Sequence, residues 1–307
     1  MSRKKVEKVE IHSMSPKVDI LFSILIGLFA ISCVIPFLFV IMISVTTESS
    51  LAEFGYKFIP NEMSFEAYRY IFSGQMSQKI IRAFGVTVFV TVFGTLVNAT
   101  MTSLYAYVIS RKTFPFRKFF TVFALVTMLF APGMVANYIV MTNLLHLKDT
   151  IWALILPLAL GPFNILVMRT FFIKTVPDSI IESARIDGAS ELKIFVKIVL
   201  PLAVPGIATI SLFAALGYWN DWFNALLYIQ NDNLVPLQYL LMKIQSNLDY
   251  LAQNSAMSAQ VQGGLAALPS ESARMAIVVI STLPIALTYP FFQKYFVGGL
   301  TIGGVKE

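Results

Sequence analysis

Glu182-Ser183-Ala184-Arg185-Ile186-Asp187-Gly188, then nine residues, then Ile198-Val199-Leu200-Pro201, is a polar island between two long apolar segments. Pro177 suits the first turn of a helix, where its missing N–H is not needed, and Gly188 suits the left-handed position just past a helix end. That predicts one short helix from about Pro177 to Asp187. Ser190 can cap a second helix, whose apolar residues Leu192, Phe195, Val196 and Val199 recur at three- and four-residue steps while Lys193 and Lys197 share another face. This helix is expected to stop near Pro201. Two amphipathic helices joined at a glycine, with membrane spans on either side, make a protrusion suited to a groove on a partner.

The flanks define the class. The 307 residues are 57% hydrophobic and 13% charged, and a mean hydropathy of +0.73 lies far above that of a soluble domain. Six apolar stretches, near 18–46, 83–110, 118–142, 150–174, 203–229 and 272–296, are long enough to cross about 30 Å of hydrocarbon at about 1.5 Å per residue. The first is too long for a signal-peptide core and no small-residue cleavage site follows it, so it reads as an uncleaved span. The single Cys33 lies inside that span and reads as a packing residue, which leaves no disulfide framework and no cysteine metal site. His12 and His146 are far apart and there is no HExxH, so metal chemistry has no support.

The net charge of +6 belongs to topology rather than to nucleic acid, because the basic residues sit between spans. Arg3, Lys4, Lys5, Lys8 and Lys17 precede span one; Arg111, Lys112, Arg117 and Lys118 follow span two. Arg169, Lys174, Arg185, Lys193 and Lys197 surround the polar island, and Lys294 and Lys306 close the chain. Sixteen of the 23 basic residues thus fall on one side, and by the positive-inside rule both termini and the 182–201 loop are expected to be cytoplasmic.

Several spans carry interruptions. Pro36 is expected to bend or break span one. Phe58-Ile59-Pro60-Asn61 with Phe65, Tyr68, Tyr70, Ile71 and Phe72 reads equally as an amphipathic surface helix or as a packed loop. On span two, Thr87, Thr91, Asn98, Thr100, Thr102 and Ser103 let helices approach and hydrogen-bond in lipid. Ala131-Pro132-Gly133, ahead of Asn137 and Tyr138, and Gly161-Pro162-Phe163-Asn164 predict breaks in spans three and four, serving either motion or packing. A segment over 230–271, with Gln253, Asn254, Ser255, Gln260 and Gln262, is expected to be external, to hold a helix near 235–250, and to dock an external solute-binding protein.

Span five ends in Gly217-Tyr218-Trp219-Asn220-Asp221-Trp222-Phe223-Asn224. An ionised Asp221 at mid-bilayer costs at least about 2.5 kcal/mol, so it must face protein, a watery cavity or the interface. On a continuous helix Asn220 and Asn224 lie within about 40° of each other, with Trp219 and Trp222 on a roughly opposite face. Rings beside amides suit a sugar passage, since rings cover apolar sugar faces and amides bond hydroxyls. An interfacial aromatic belt with polar caps accounts for the same spacing.

The spacing E-x-A-x-x-x-G-x(9)-I-x-L-P resembles the cytoplasmic loop signature of the permease subunits of binding-protein-dependent ATP-binding-cassette (ABC) importers, and Asp187-Gly188-Ala189 sharpens the likeness toward carbohydrate importers. Ser183 replaces the usual second alanine. The resemblance implies an all-α integral membrane protein of six transmembrane helices, the type I ABC importer permease fold, in the bacterial inner membrane. It implies a coupling helix carrying Glu182, Ser183, Ala184, Arg185, Asp187 and Gly188 that sits in a cleft of the ATPase. The implied partners are a sister permease, two ATPase subunits that bind ATP and Mg, and an external solute-binding lipoprotein. The segments would be a cytoplasmic tail (1–17), the first helix with an external segment (18–82), a permease core (83–296) with its coupling loop at 175–201, and a cytoplasmic C-terminal tail (297–307). Trp219, Asn220, Asp221, Trp222 and Asn224 are the candidate solute path. The Leu-Gln-Tyr-Leu-Leu run at 237–241 and the tail from Tyr289 resemble the branch that imports oligosaccharides or polysaccharide fragments, although Gly298 stands where a Lys and Glu307 where a Gly is expected.

Two other motifs are set aside. Glu-Ser-Ala-Arg recurs at Glu271–Arg274 without the following Asp-Gly, so it is not a second coupling loop. Gly299 and Gly304 have phosphate-loop spacing, but Val305 follows where Lys is required, so no nucleotide site is expected in this chain. A secondary transporter or channel lacks its intramembrane carboxylate chain and inverted repeat, and a membrane enzyme lacks any catalytic constellation.

Overall fold

The computed structural model describes residues 16–130, 132–253 and 270–302. Among these residues the chain is helical and contains no strand, only an antiparallel bridge between Thr46 and Met63. The helices are α1 Pro16–Ser44, α2 Glu48–Phe54, α3 Glu66–Ile71, α4 Gly74–Ser110, α5 Arg117–Leu129, α6 Met134–Ile139, α7 Trp152–Ile155, α8 Pro162–Thr175, α9 Asp178–Ile186, α10 Glu191–Ile194, α11 Leu200–Leu202, α12 Val204–Trp219, α13 Phe223–Tyr228, α14 Leu237–Gln253 and α15 Ser270–Ile302. Much of the N-terminal tail, Asn254, Ser255, Gln260 and Gln262, Ala131, and the chain beyond Ile302 lie outside the described residues.

Among the described residues three helices, Lys17–Ser44, Ser77–Ser110 and Glu271–Thr288, are long and apolar enough to cross a membrane, and the number rises to six when each of three bent pairs is one span. The breaks in spans three and four fall where Pro and Gly predict them. Pro36 does not break α1, which runs on to Ser44. Span two begins earlier than expected, at Gly74. Cys33 faces outward rather than into the core, as a small apolar side chain can where the surroundings are hydrocarbon.

The chain divides into two compact units. The first holds α1, α2 and the start of α15. Here Glu48 accepts the backbone N–H groups of Glu271 (3.3 Å) and Ser272 (3.3 Å) together with the Ser272 hydroxyl (3.2 Å). First-turn N–H groups have no partner within their own helix, and a carboxylate is favoured at the positive end of the helix dipole.

The second unit is built around α4, against which α8 and α12 pack. At Gly94 the approach of α12 is so close that a Cβ would lie 2.6 Å from the Tyr218 ring. The Tyr218 hydroxyl donates to Ile155 O at 2.8 Å, and Asn98 Nδ2 donates to Leu158 O, also at 2.8 Å. Those two carbonyls precede the 51° break between Trp152–Leu158 and Pro162–Thr175. In lipid, carbonyls freed by a break need a partner, and side chains from α12 and α4 supply it. Of the polar residues expected to pack on span two, Thr87, Asn98, Thr102 and Ser103 are buried, while Thr100 is exposed. Thr87 Oγ1 accepts the Leu237 N–H that opens α14, at 2.8 Å.

Candidate functional site: a capped helical protrusion

Helix α9 begins after Pro177, which lies just outside it in extended conformation (φ −58°, ψ 140°). Asp178 in the first turn complements the helix dipole and pairs with Lys112 (3.0 Å) and Arg111 (3.5 Å) beyond the end of α4. The Lys112 ammonium, by hydrogen bond, and the charges of Lys112 and Arg111 hold the Asp178 carboxyl below the usual range.

The far end of α9 is a Schellman cap. Gly188 adopts φ +75°, its N–H reaches Arg185 O, and the Ala189 N–H reaches Ala184 O, each at 3.0 Å. Nothing lies within 4 Å of the space a Cβ at Gly188 would occupy, so the requirement for glycine is conformational rather than steric. Ser190 then caps the next helix, its hydroxyl accepting the Lys193 N–H at 3.4 Å.

The second helix departs from its expected form. After α10 comes a π-turn at Phe195–Val199, then α11, and the chain bends by 82° before α12. The helical run nevertheless stops at Leu202, one residue past Pro201, where that proline is expected to end it. The π-turn also shifts the helical phase. Ile194, Phe195 and Val199 are buried with Ile181, Ala184, Phe172 and Tyr107, whereas Leu192 and Val196 point outward. The expected single stripe of Leu192, Phe195, Val196 and Val199 is therefore split between two faces.

Polar contacts fix the two helices to each other. Arg185 Nε donates to Glu191 Oε1 at 2.7 Å, and the Tyr107 hydroxyl donates to Glu191 Oε2 at 3.4 Å. Arg185 is thus turned back into the protrusion, while Glu182, Ser183 and Asp187 are exposed. Around them lie apolar side chains without cover: Ile186 is 87% exposed and Leu192 69%. Sequence reading named both without anticipating their exposure, and did not single out Glu191 or Asp178. The partners of Asp178, and the Tyr107 that meets Glu191, come from the far end of α4, which local spacing does not reveal.

The candidate solute path differs more from expectation. Helix α12 stops at Trp219, so Asn220 and Asn224 do not share a continuous helix. Asp221 Oδ1 accepts the Asn224 N–H (3.1 Å) and Oδ2 accepts Asn224 Nδ2 (2.8 Å), opening α13. This capping arrangement satisfies the acid locally. Trp219 is buried, its indole N–H donating to Ser281 O at 3.0 Å and its ring meeting Phe84 edge-on. Asn220 and Trp222 are the members of the group with exposed side chains that sequence pattern placed on the path.

A neighbouring acid, Asp149, has φ +62° and accepts the N–H groups of Asn231 (2.7 Å) and Gln230 (2.9 Å). Those two bonds lower its carboxyl below the usual range. Among the described residues no group of three or more His, Cys, Asp or Glu side chains gathers as metal ligands would.

Comparisons with known proteins bear on the family and the fold. The chain is 40% identical over 91% of its length, and 94% of the relative's, to a polygalacturonan/rhamnogalacturonan transport system permease protein of Bacillus subtilis (strain 168). It is 27% identical over 95% of its length, and 98% of the relative's, to an arabinooligosaccharides transport system permease protein of Halalkalibacterium halodurans. A crystal structure of a bacterial ABC transporter involved in the import of the acidic polysaccharide alginate contains a chain that superposes with a TM-score of 0.78 at 29% identity, covering 93% of this chain and 99% of that one. Residues 104–301 match the model of the binding-protein-dependent transport system inner membrane component, and the chain belongs to that family, as a permease subunit of an ABC importer with the all-α type I permease fold.

Proposed function

We propose that this chain forms one half of the membrane passage of an oligosaccharide importer, paired with a sister permease, driven by two ATPase subunits that bind ATP and Mg, and fed by an external solute-binding lipoprotein. The chain itself binds no nucleotide and catalyses nothing. ATP-driven closure of the ATPases moves the protrusion as a rigid body and switches the passage between inward- and outward-open states.

The observation that carries this reading is the exposed Ile186 beside a turn held by the Gly188 cap and the Arg185–Glu191 contact. Covering an isoleucine gains about 1.5–3 kcal/mol, so a partner's groove gains where solvent does not. Glu182, Ser183 and Asp187 would meet the ATPase, Ala184 and Arg185 would brace the helix, and Gly188 would set the turn. The oligosaccharide cargo is supported by the names of the relatives.

The charge distribution supports cytoplasmic termini and an external 230–271 segment. Cysteine labelling at Ser255 in a Cys33→Ser background tests this: an impermeant reagent should reach the site on intact cells, and labelling only after permeabilisation would overturn the topology. For coupling, Glu182→Arg should abolish solute-stimulated ATP turnover while the chain still reaches the membrane. Normal transport in the assembled variant would refute the assignment. For the passage, Asn220→Ala or Trp222→Ala should lower uptake several-fold with assembly intact, whereas Asp221→Asn, which weakens the cap on Asn224, should lower assembly.

A further inference from the structure

Helix α4 carries basic residues near both ends. Beyond its C-terminal end Arg111 and Lys112 meet Asp178 of the protrusion. Near its start, Lys79 and Arg82 line a cavity of about 350 Å³ to which Lys243 and Asn247 of α14 also contribute. From Arg82 to Arg111 the helix rises about 40 Å at about 1.5 Å per residue, so the cavity lies at the opposite end of the second unit from the protrusion. On the orientation proposed above, that is the external end.

The positive-inside rule makes basic residues scarce there. With sixteen of the 23 assigned to the cytoplasmic side, seven remain, and three of the seven converge on this cavity. Among the described residues Asp232 is the single acid in its wall. Among the described residues none of the three cations is ion-paired with a carboxylate. Arg82 is oriented by a hydrogen bond to Asn233 Oδ1, and the Lys243 ammonium lies 4.5 Å from the centre of the Tyr239 ring.

We propose that this cavity binds the carboxylate of an acidic sugar residue, so that the imported oligosaccharide is a carboxylated one. The inference rests on the oligosaccharide-import reading above. A guanidinium fork matches a carboxylate in two-point geometry, and two ammonium groups add charge without fixing orientation. Asn247 can bond hydroxyls, Asp232 can accept hydroxyl hydrogens, and Ile244 offers an apolar surface to a ring face. The volume falls within the range of small-molecule sites, about 300–1,000 Å³. A phospholipid headgroup would use the same cations but has less use for the amide of Asn247 and the apolar face of Ile244.

The test uses the intact permease–ATPase complex in neutral-lipid nanodiscs, with trigalacturonate and its fully methyl-esterified form as probes in titration calorimetry. The wild type should bind trigalacturonate more tightly than the ester. The triple variant Lys79→Gln, Arg82→Gln, Lys243→Gln should bind it about ten-fold more weakly, and exposed Lys79→Gln alone two- to three-fold. Equal binding of both probes, an unchanged affinity in the triple variant, or a loss seen only with anionic lipid would overturn the site. Transport is scored separately. Trigalacturonate bound through these cations by a complex that imports no oligosaccharide would leave the site standing and refute the import reading. Import of a neutral oligosaccharide with no cation-dependent binding would do the reverse.

Discussion

The tetrapeptide Glu-Ser-Ala-Arg occurs twice, at Glu182–Arg185 and at Glu271–Arg274, and its two copies do different work. In the first, the residues lie in the interior and last turn of a short helix. Ser183 Oγ bonds back to Ser179 O (3.0 Å), and Arg185 reaches forward to Glu191. In the second, the residues open a long helix. Glu271 and Ser272 present free N–H groups that Glu48 accepts, and Arg274 reaches back to Glu271 at 3.3 Å. Ala184 and Ala273 are buried in both, as the small member that lets another surface approach. The four residues thus fix a helix and its inward face. Their position in the helix, set by Gly188 in one case and by a distant Glu48 in the other, decides what the polar side chains do.

The largest expected effect breaks the first copy at its glycine. Gly188→Val forces a β-branched residue to φ +75°, at a cost of about 1–2 kcal/mol or more, and should reduce solute-stimulated ATP turnover at least ten-fold. Gly188→Asn, tolerant of that conformation, should keep more than half. Equal loss in both would mean that the side chain rather than the turn is at fault.

Next comes the second copy. Glu48→Ala removes the acceptor from three donors and should destabilise the purified complex by about 2–3 kcal/mol, read as a lowered Tm, with Glu48→Gln intermediate. Coupling of the remaining folded complex should be unaffected. A smaller effect is expected of Arg185→Ala. Its pair with Glu191 is partly exposed, so a double-mutant cycle with Glu191→Ala should give a coupling of about 0.3–1 kcal/mol, weakened by salt.

The smallest is the pH dependence at Asp178. Its pKa is depressed in the folded state, so its contribution is present above the unfolded value of about 3.9 and is lost as pH falls through the folded value. Stability curves of the wild type and Asp178→Asn should therefore differ near neutrality and converge in acid. A constant gap at all pH values would show that the charge is not responsible.

The membrane class, the helix–glycine–helix loop and its two caps were legible because hydropathy, Pro177, Gly188 and Ser190 act locally. The interruption at Asn220-Asp221 was not, since no Pro or Gly marks it and the break is stabilised by an acid that caps its own downstream helix. The outward face of Leu192 and Val196 was hidden by the π-turn, which adds a residue to the repeat and defeats any 3.6-residue count. The partners Arg111 and Tyr107 were invisible for a different reason, because helix packing rather than sequence spacing brings them to Asp178 and Glu191.

The Glu48 cap also has a consequence for biosynthesis. Its carboxylate and the N–H groups it accepts are 223 and 224 residues apart. At about 5–20 residues per second, the ribosome adds that length in about 10–45 s. Through that interval α1 and α2 have been made and their closing contact has not, so the first unit completes only when the last long helix emerges. A chain truncated before α15 should leave that unit open and exposed to quality-control proteases, however normal its remaining helices.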